Sequence, residues 1–139
     1  MWTLLSISLL CSFLLTMRGL HASVALSADQ PSEETVIVVI QGRLFKPERT
    51  VLHQGRTTRL VFKNQDSELH AVVPFGLFSG ESLSVAGNGA PEFGPEGLKR
   101  VLIPPDGVVE IFFTPTKSGE YRYLCDLPGH EMNAVIVVE

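Results

Sequence analysis

The 139-residue sequence predicts an all-β fold, a sandwich of seven or eight short strands built from about 110 residues. Three observations predict it. Short β-branched or alternating runs recur from residue 36 to residue 138. Gly and Pro clusters punctuate them. No stretch carries the apolar spacing of an amphipathic helix. The length suits one domain and is short for two.

Each element has its own signal. Val36-Ile37-Val38-Val39-Ile40 is a β-branched run bounded by Gly42. Thr50-Val51-Leu52 is a short run ended by Gln54-Gly55. Residues 57–63 alternate, with Thr58, Leu60 and Phe62 on one face and Arg59, Val61 and Lys63 on the other. Ala71-Val72-Val73 precedes Pro74, and Val101-Leu102-Ile103 leads into the turn Pro104-Pro105-Asp106-Gly107. Residues 108–114 and 120–125 are further strands, separated by Pro115 and Gly119. Residues 134–138 close the domain. The rhythm breaks between Phe75 and Leu98, where six glycines and the prolines at 91 and 95 predict a long loop.

The first 17 residues hold Leu4, Leu5, Ile7, Leu9, Leu10, Phe13, Leu14 and Leu15 and no charged side chain. The run is short for a membrane span of about 20 residues. With Ala22, Ser23, Ala25 and Ala28 behind it, it reads as a secretory leader over residues 1–28. An uncleaved N-terminal anchor is the alternative, because no Lys or Arg precedes the apolar run. Residues 29–34 are a polar arm and residues 35–139 the domain, placed outside the cytoplasm, in a periplasm or an equivalent exported location.

Losing the leader removes Cys11 and leaves Cys125 as the one cysteine. Exported proteins usually pair their cysteines, so a single thiol calls for a reason. An inert buried thiol, an intermolecular disulfide and a metal–thiolate bond are the candidates. From Asp29 onward ten Lys and Arg stand against fifteen Asp and Glu. No basic cluster points to nucleic acid and no basic amphipathic helix to a membrane surface. The acidic excess suits solubility or a partner with a basic patch.

Chemistry concentrates near the C-terminus. A strand delivers Cys125 to its end, Pro128-Gly129 turns the chain, and His130 follows five residues after the cysteine. Electron-transfer copper sites use two His and one Cys with a weak axial ligand such as Met. The second imidazole must come from elsewhere, and only His53 and His70 remain after the leader. His70 stands just past a strand end, on the rim expected to face Cys125. His53 sits in a turn after a short strand and reads as a surface residue.

Residues 119–130, Gly-Glu-Tyr-Arg-Tyr-Leu-Cys-Asp-Leu-Pro-Gly-His, resemble the copper loop of the cupredoxins, the blue copper proteins. Phe45-x-Pro47, Gly55, Leu60-x-Phe62-x-Asn64 and His70 are similar to the N-terminal half of that family, and Pro105-x-Gly107 before a strand is typical of it. The resemblance covers much of residues 35–139. It implies a Greek-key β-sandwich of seven to eight strands holding one mononuclear copper ion, with metal ligands His70, Cys125, His130 and, axially, Met132. Met132 follows His130 by two residues where the family has three to five, yet it enters the last strand as the family's Met does. Glu131, a backbone carbonyl or no axial ligand are the alternatives. The resemblance also implies that Asn64 braces the ligand loops and that the ring edge of His130 is the electron port.

The function expected is single-electron transfer between redox proteins that dock transiently on a monomer. An apolar collar of Leu127, Pro128, Pro74 and Phe75 is the expected docking surface. A copper carrier or scavenger is the rival reading, separated by whether the protein gives its copper to a competitor. An enzyme is not expected, since three His cannot build a second metal centre.

Overall fold

The computed structural model describes residues 33–139. The leader, its cleavage or anchoring, Cys11 and most of the polar arm lie outside the described residues. What is described is two packed sheets of eleven strands, without a helix. β1 (Glu34–Ile40), β2 (Phe45–Lys46), β4 (Thr58–Asn64), β6 (Leu83–Gly87) and β9 (Val108–Phe113) form one sheet, in the order β2-β1-β4-β9-β6. β3 (Arg49–Leu52), β5 (His70–Pro74), β7 (Ala90–Gly94), β8 (Gly97–Ile103), β10 (Gly119–Leu124) and β11 (Asn133–Val138) form the other, in the order β3-β11-β10-β5-β8-β7. Most neighbours are antiparallel, but β1 runs parallel to β4 and β11 parallel to β3. The sandwich class is as expected.

The strand count of seven to eight is corrected to eleven. All eight expected runs are strands, within a few residues of their expected ends. The additions are β2, which is only two residues long, and β6 and β7, which occupy the segment read as a loop from Phe75 to Leu98. Glycine misled there for a physical reason. A Cβ on Gly87 would lie 2.1 Å from the Val108 carbonyl oxygen, and one on Gly89 would lie 2.2 Å from Val109 Cγ2. These glycines mark close approach of chain to chain, which a strand also needs. Between β6, paired with β9, and β7, paired with β8, the chain crosses from one sheet to the other.

Alternation explains the core. Val38 and Ile40 of β1, Leu60 and Phe62 of β4, and Val109, Ile111 and Phe113 of β9 point inward from one sheet. Ala71, Val101, Ile103, Ala134, Ile136 and Val138 meet them from the other. Tyr123 is buried at the centre, with its ring centroid 4.7 Å from Phe45 and 5.7 Å from Phe62. Its hydroxyl has no partner, and burial pushes the phenol well above its ordinary pKa. An aromatic of this size buries on the order of 200 Å², so Tyr123 and Phe45 anchor the two sheets.

The registers define two ends. Ile40 lies beside Asn64, and His70 beside Ile103. The ends of β4, β8 and β10 and the starts of β5, β9 and β11 therefore gather at one end of the sandwich. Glu34 lies beside Thr58, and Leu52 beside Val138, at the opposite end.

Candidate metal centre

Three predicted residues meet at the first of these ends. One ligand atom each of His70, Cys125 and His130 lies within 4.8 Å of the others. His70 lies past the end of β4, as expected, and is the first residue of β5. Cys125 follows the last residue of β10, and His130 closes the turn after it, its amide donating to the Leu127 carbonyl at 3.0 Å.

The hydrogen bonds orient each donor. His70 is fully buried, and its Nε2 lies 2.9 Å from Asp66 Oδ2. An ionised carboxylate only accepts, so this contact places the proton of the neutral ring on Nε2 and leaves Nδ1 bare. Nδ1 has no partner and is buried. Such a nitrogen is costly to leave unpaired. The Cys125 sulfur accepts the Ala71 amide at 3.3 Å and lies 3.4 Å from His130 Nδ1. It is the free cysteine among the described residues, and it is buried. Two imidazole nitrogens and one sulfur converging on one point, with one nitrogen otherwise orphaned, fit a copper ion of the His₂Cys type.

Around the cluster stand residues that the sequence reading missed. Burial pushes the Asp66 carboxyl up, but the amides of Arg43 and Gly42 and the His70 ring outweigh it and hold it below the ordinary value. Glu68 lies 3.7 Å from His130 Nε2 and 4.0 Å from His70 Nε2. Arg43 grips both Glu68 oxygens, at 2.5 and 2.7 Å, and keeps that carboxyl low as well. Asp66, Glu68 and His70 also approach one another closely, yet these donors already occupy the two carboxylates. The only sequence signal for Asp66 and Glu68 was their nearness to His70. Arg43 comes from the turn after β1 and had none. Arg100 of β8 ties Glu92 of β7 to Asp126, the residue after Cys125, at 2.8 and 3.1 Å.

Asn64 sits where a brace would. Its buried Nδ2 donates to the carbonyls of Glu68 at 2.8 Å and of Ile103 and Pro104 at 3.0 Å, and its Oδ1 accepts the Asp66 amide at 2.9 Å. Met132 is buried, and its carbonyl accepts the Cys125 amide at 3.1 Å. That bond closes the loop from Cys125 to Met132. His53 stands apart at the other end, paired with Glu34.

The His130 side chain is 9% exposed, and its outer nitrogen lies 3.7 Å from Glu68 Oε2. Pro74 and Phe75 lie four and five residues along the chain from His70, roughly 13–17 Å in extended chain. They do not ring the site together with Leu127 and Pro128. Pro74 and Phe75 line instead a groove of about 460 Å³ between the 73–79 and 94–99 segments, which includes none of the site residues. The exposed Leu44 and Leu69, neighbours in sequence of Arg43 and Glu68, stand at the site end.

The sequence model of the cupredoxin-like domain matches residues 9–138. The chain belongs to this family. Among curated proteins none matches this cupredoxin-like chain. Among solved structures, auracyanin A, a "blue" copper protein from the green thermophilic photosynthetic bacterium Chloroflexus aurantiacus, is similar at 19% identity and a TM-score of 0.57, over 78% of this chain and 100% of auracyanin A. Auracyanin B is similar at 20% identity and a TM-score of 0.57, over 80% of this chain and 91% of its own. A reduced variant of amicyanin follows at 18% identity and a TM-score of 0.53, over 76% and 82%. These similarities show the fold of the cupredoxin-like domain on a distant sequence.

Proposed function

We propose that this cupredoxin-like protein carries single electrons on one copper ion bound by His70 Nδ1, Cys125 Sγ and His130 Nδ1, with Met132 as a weak axial ligand. The observation that carries this reading is the buried, unpartnered Nδ1 of His70 beside the Cys125 sulfur and the His130 ring. Copper, when bound, supplies a Cu(I)/Cu(II) couple of one electron. The chain supplies the frame. His70, Cys125 and His130 are held by strand ends and by a turn closed through the Cys125–Met132 hydrogen bond, so little has to move when charge changes. Asp66 fixes the His70 tautomer, as outer carboxylates do for metal-bound imidazoles. The leader motivates a place outside the cytoplasm. No helix among the described residues is long and apolar enough to cross a membrane.

We read the chain as a non-enzymatic monomer that docks transiently on redox proteins. Weak redox encounters use small interfaces, and Leu44, Leu69 and Pro128 offer exposed apolar contacts at the site end. The test is a copper titration followed by absorption. One equivalent of Cu(II) should give an intense visible thiolate band, and Cys125→Ser should abolish it while the far-ultraviolet circular dichroism stays that of a β-sandwich. Colour retained by the Ser variant would refute the assignment.

A further inference from the structure

Among the described residues, Glu68 is the one side chain whose carboxylate approaches the outer nitrogens of both candidate imidazoles, one oxygen toward each ring. The two rings are 5.0 Å apart, centroid to centroid. Most exposed Glu–Arg pairs contribute little, because long side chains lose freedom when they pair. This pair is built differently. Arg43 binds Glu68 through two nitrogens, a geometry that fixes the plane of the carboxylate. Arg43 itself is a non-glycine residue in the left-handed region, at φ 57°, a conformation that persists when surroundings enforce it. Asp66 enforces it by accepting the amides of Gly42 and Arg43 at 2.7 and 2.9 Å. From the other side, the Glu68 carbonyl is held by Asn64. The carboxylate is thus locked at both its head and its backbone.

We propose that Glu68 is a positioning residue that holds the inner nitrogen of His130 toward Cys125, as Asp66 does for His70, and that Glu68 and Arg43 together set the electron affinity of the site. The proposal rests on the copper reading above. Outer-nitrogen partners select which ring nitrogen stays bare. A fixed negative charge beside the two rings also favours the more positive, oxidised state, and Arg43 offsets part of that charge. Removing Glu68 and removing Arg43 must therefore act in opposite directions, which a merely structural ion pair would not do.

The experiment uses the full chain as parent, Glu68→Gln and Arg43→Gln. In the copper-loaded proteins, Glu68→Gln should raise the reduction potential by about 59 mV, a tenfold change in the one-electron equilibrium. Arg43→Gln should lower it by a smaller amount. Equal potentials, or shifts of the same sign, would overturn the electrostatic half. In the metal-free proteins, long-range proton–nitrogen spectra should show the parent's His130 ring as a single tautomer protonated at Nε2, and Glu68→Gln should make it a mixture. An unchanged ring would overturn the positioning half. Failure of the copper reading is seen separately, as a parent protein without the thiolate band, and the metal-free spectra still decide the role of Glu68.

Discussion

The sandwich carries a histidine–carboxylate pair at each end, and the two pairs are close to equal in length. His70 meets Asp66 at 2.9 Å, and His53 meets Glu34 at 2.7 Å. Their surroundings differ completely. The His70 side chain is fully buried and its second nitrogen faces Cys125 and His130, whereas 44% of the His53 side chain is exposed. The Glu34 carboxylate also takes the His53 amide and the Thr58 hydroxyl, both at 2.9 Å, so that pair stitches β1 to β3 and β4. The carboxylate partner alone does not make a metal site. What singles out the His70 end as the candidate is a bare nitrogen kept away from water beside a thiol.

The largest break between the ends should appear in copper binding. His70→Ala should lose the visible thiolate band, and His53→Ala should bind one equivalent like the parent. A titration with the opposite outcome would place the second imidazole at the wrong end.

Stability should separate the ends next. Asn64→Ala strips partners from three carbonyls and one amide at the metal end. It should cost about 2–3 kcal/mol, the range for leaving buried polar groups unpaired. Thr58→Val at the opposite end removes one hydroxyl and keeps the shape, so about 1 kcal/mol is expected. Urea midpoints of the two variants measure the contrast, and equal losses would remove the special role of Asn64.

The same contrast explains what the sequence made legible. Residues with one role announced it: the alternating Thr58, Leu60 and Phe62, the lone Cys125 and the Pro128-Gly129-His130 turn. Residues whose role depends on a distant partner did not. Glu68 lies near His70 in sequence, but its charge is oriented by Arg43, 25 residues away. Gly87 looks like a loop residue until Val108 is seen against it. The expected apolar collar failed for a related reason: Pro74 is near His70 in sequence, but the extended strand carries it away.

A smaller effect concerns acid. Burial raises the Glu34 pKa, yet the His53 amide, the His53 ring and the Thr58 hydroxyl lower it by more, and the net position is below the ordinary 4.5. A folded pKa below the unfolded one contributes stability that is fully present above about 4.5 and is lost as pH falls through the folded value. Glu34→Gln should remove that contribution, on the order of 1–2 kcal/mol for hydrogen bonds to a charged group. Urea unfolding at pH 7 and at pH 3 checks the sign: the difference between parent and variant should shrink at the lower pH. A difference that grew toward acid would show that the pair at this end is not held as an ion.

The smallest effect asks whether the proposed copper site has an axial ligand beside its three proposed ones. Met132 is buried, and its carbonyl is already used by the Cys125 amide. The backbone role survives any side chain, so Met132→Leu isolates the sulfur. As a packing change it nearly conserves volume and should cost less than about 1.5 kcal/mol. If the sulfur is a weak axial donor, its loss disfavours Cu(II) more than Cu(I), because the oxidised ion gains more from an added donor. The band should remain, since the thiolate and both imidazoles are intact, while the reduction potential rises by an amount on the order of 59 mV, a tenfold shift for one electron. Glu131→Gln is the matched control for an axial carboxylate. A spectrum that changes in Glu131→Gln and stays still in Met132→Leu would move the axial position by one residue and leave Met132 as a core side chain at the start of β11.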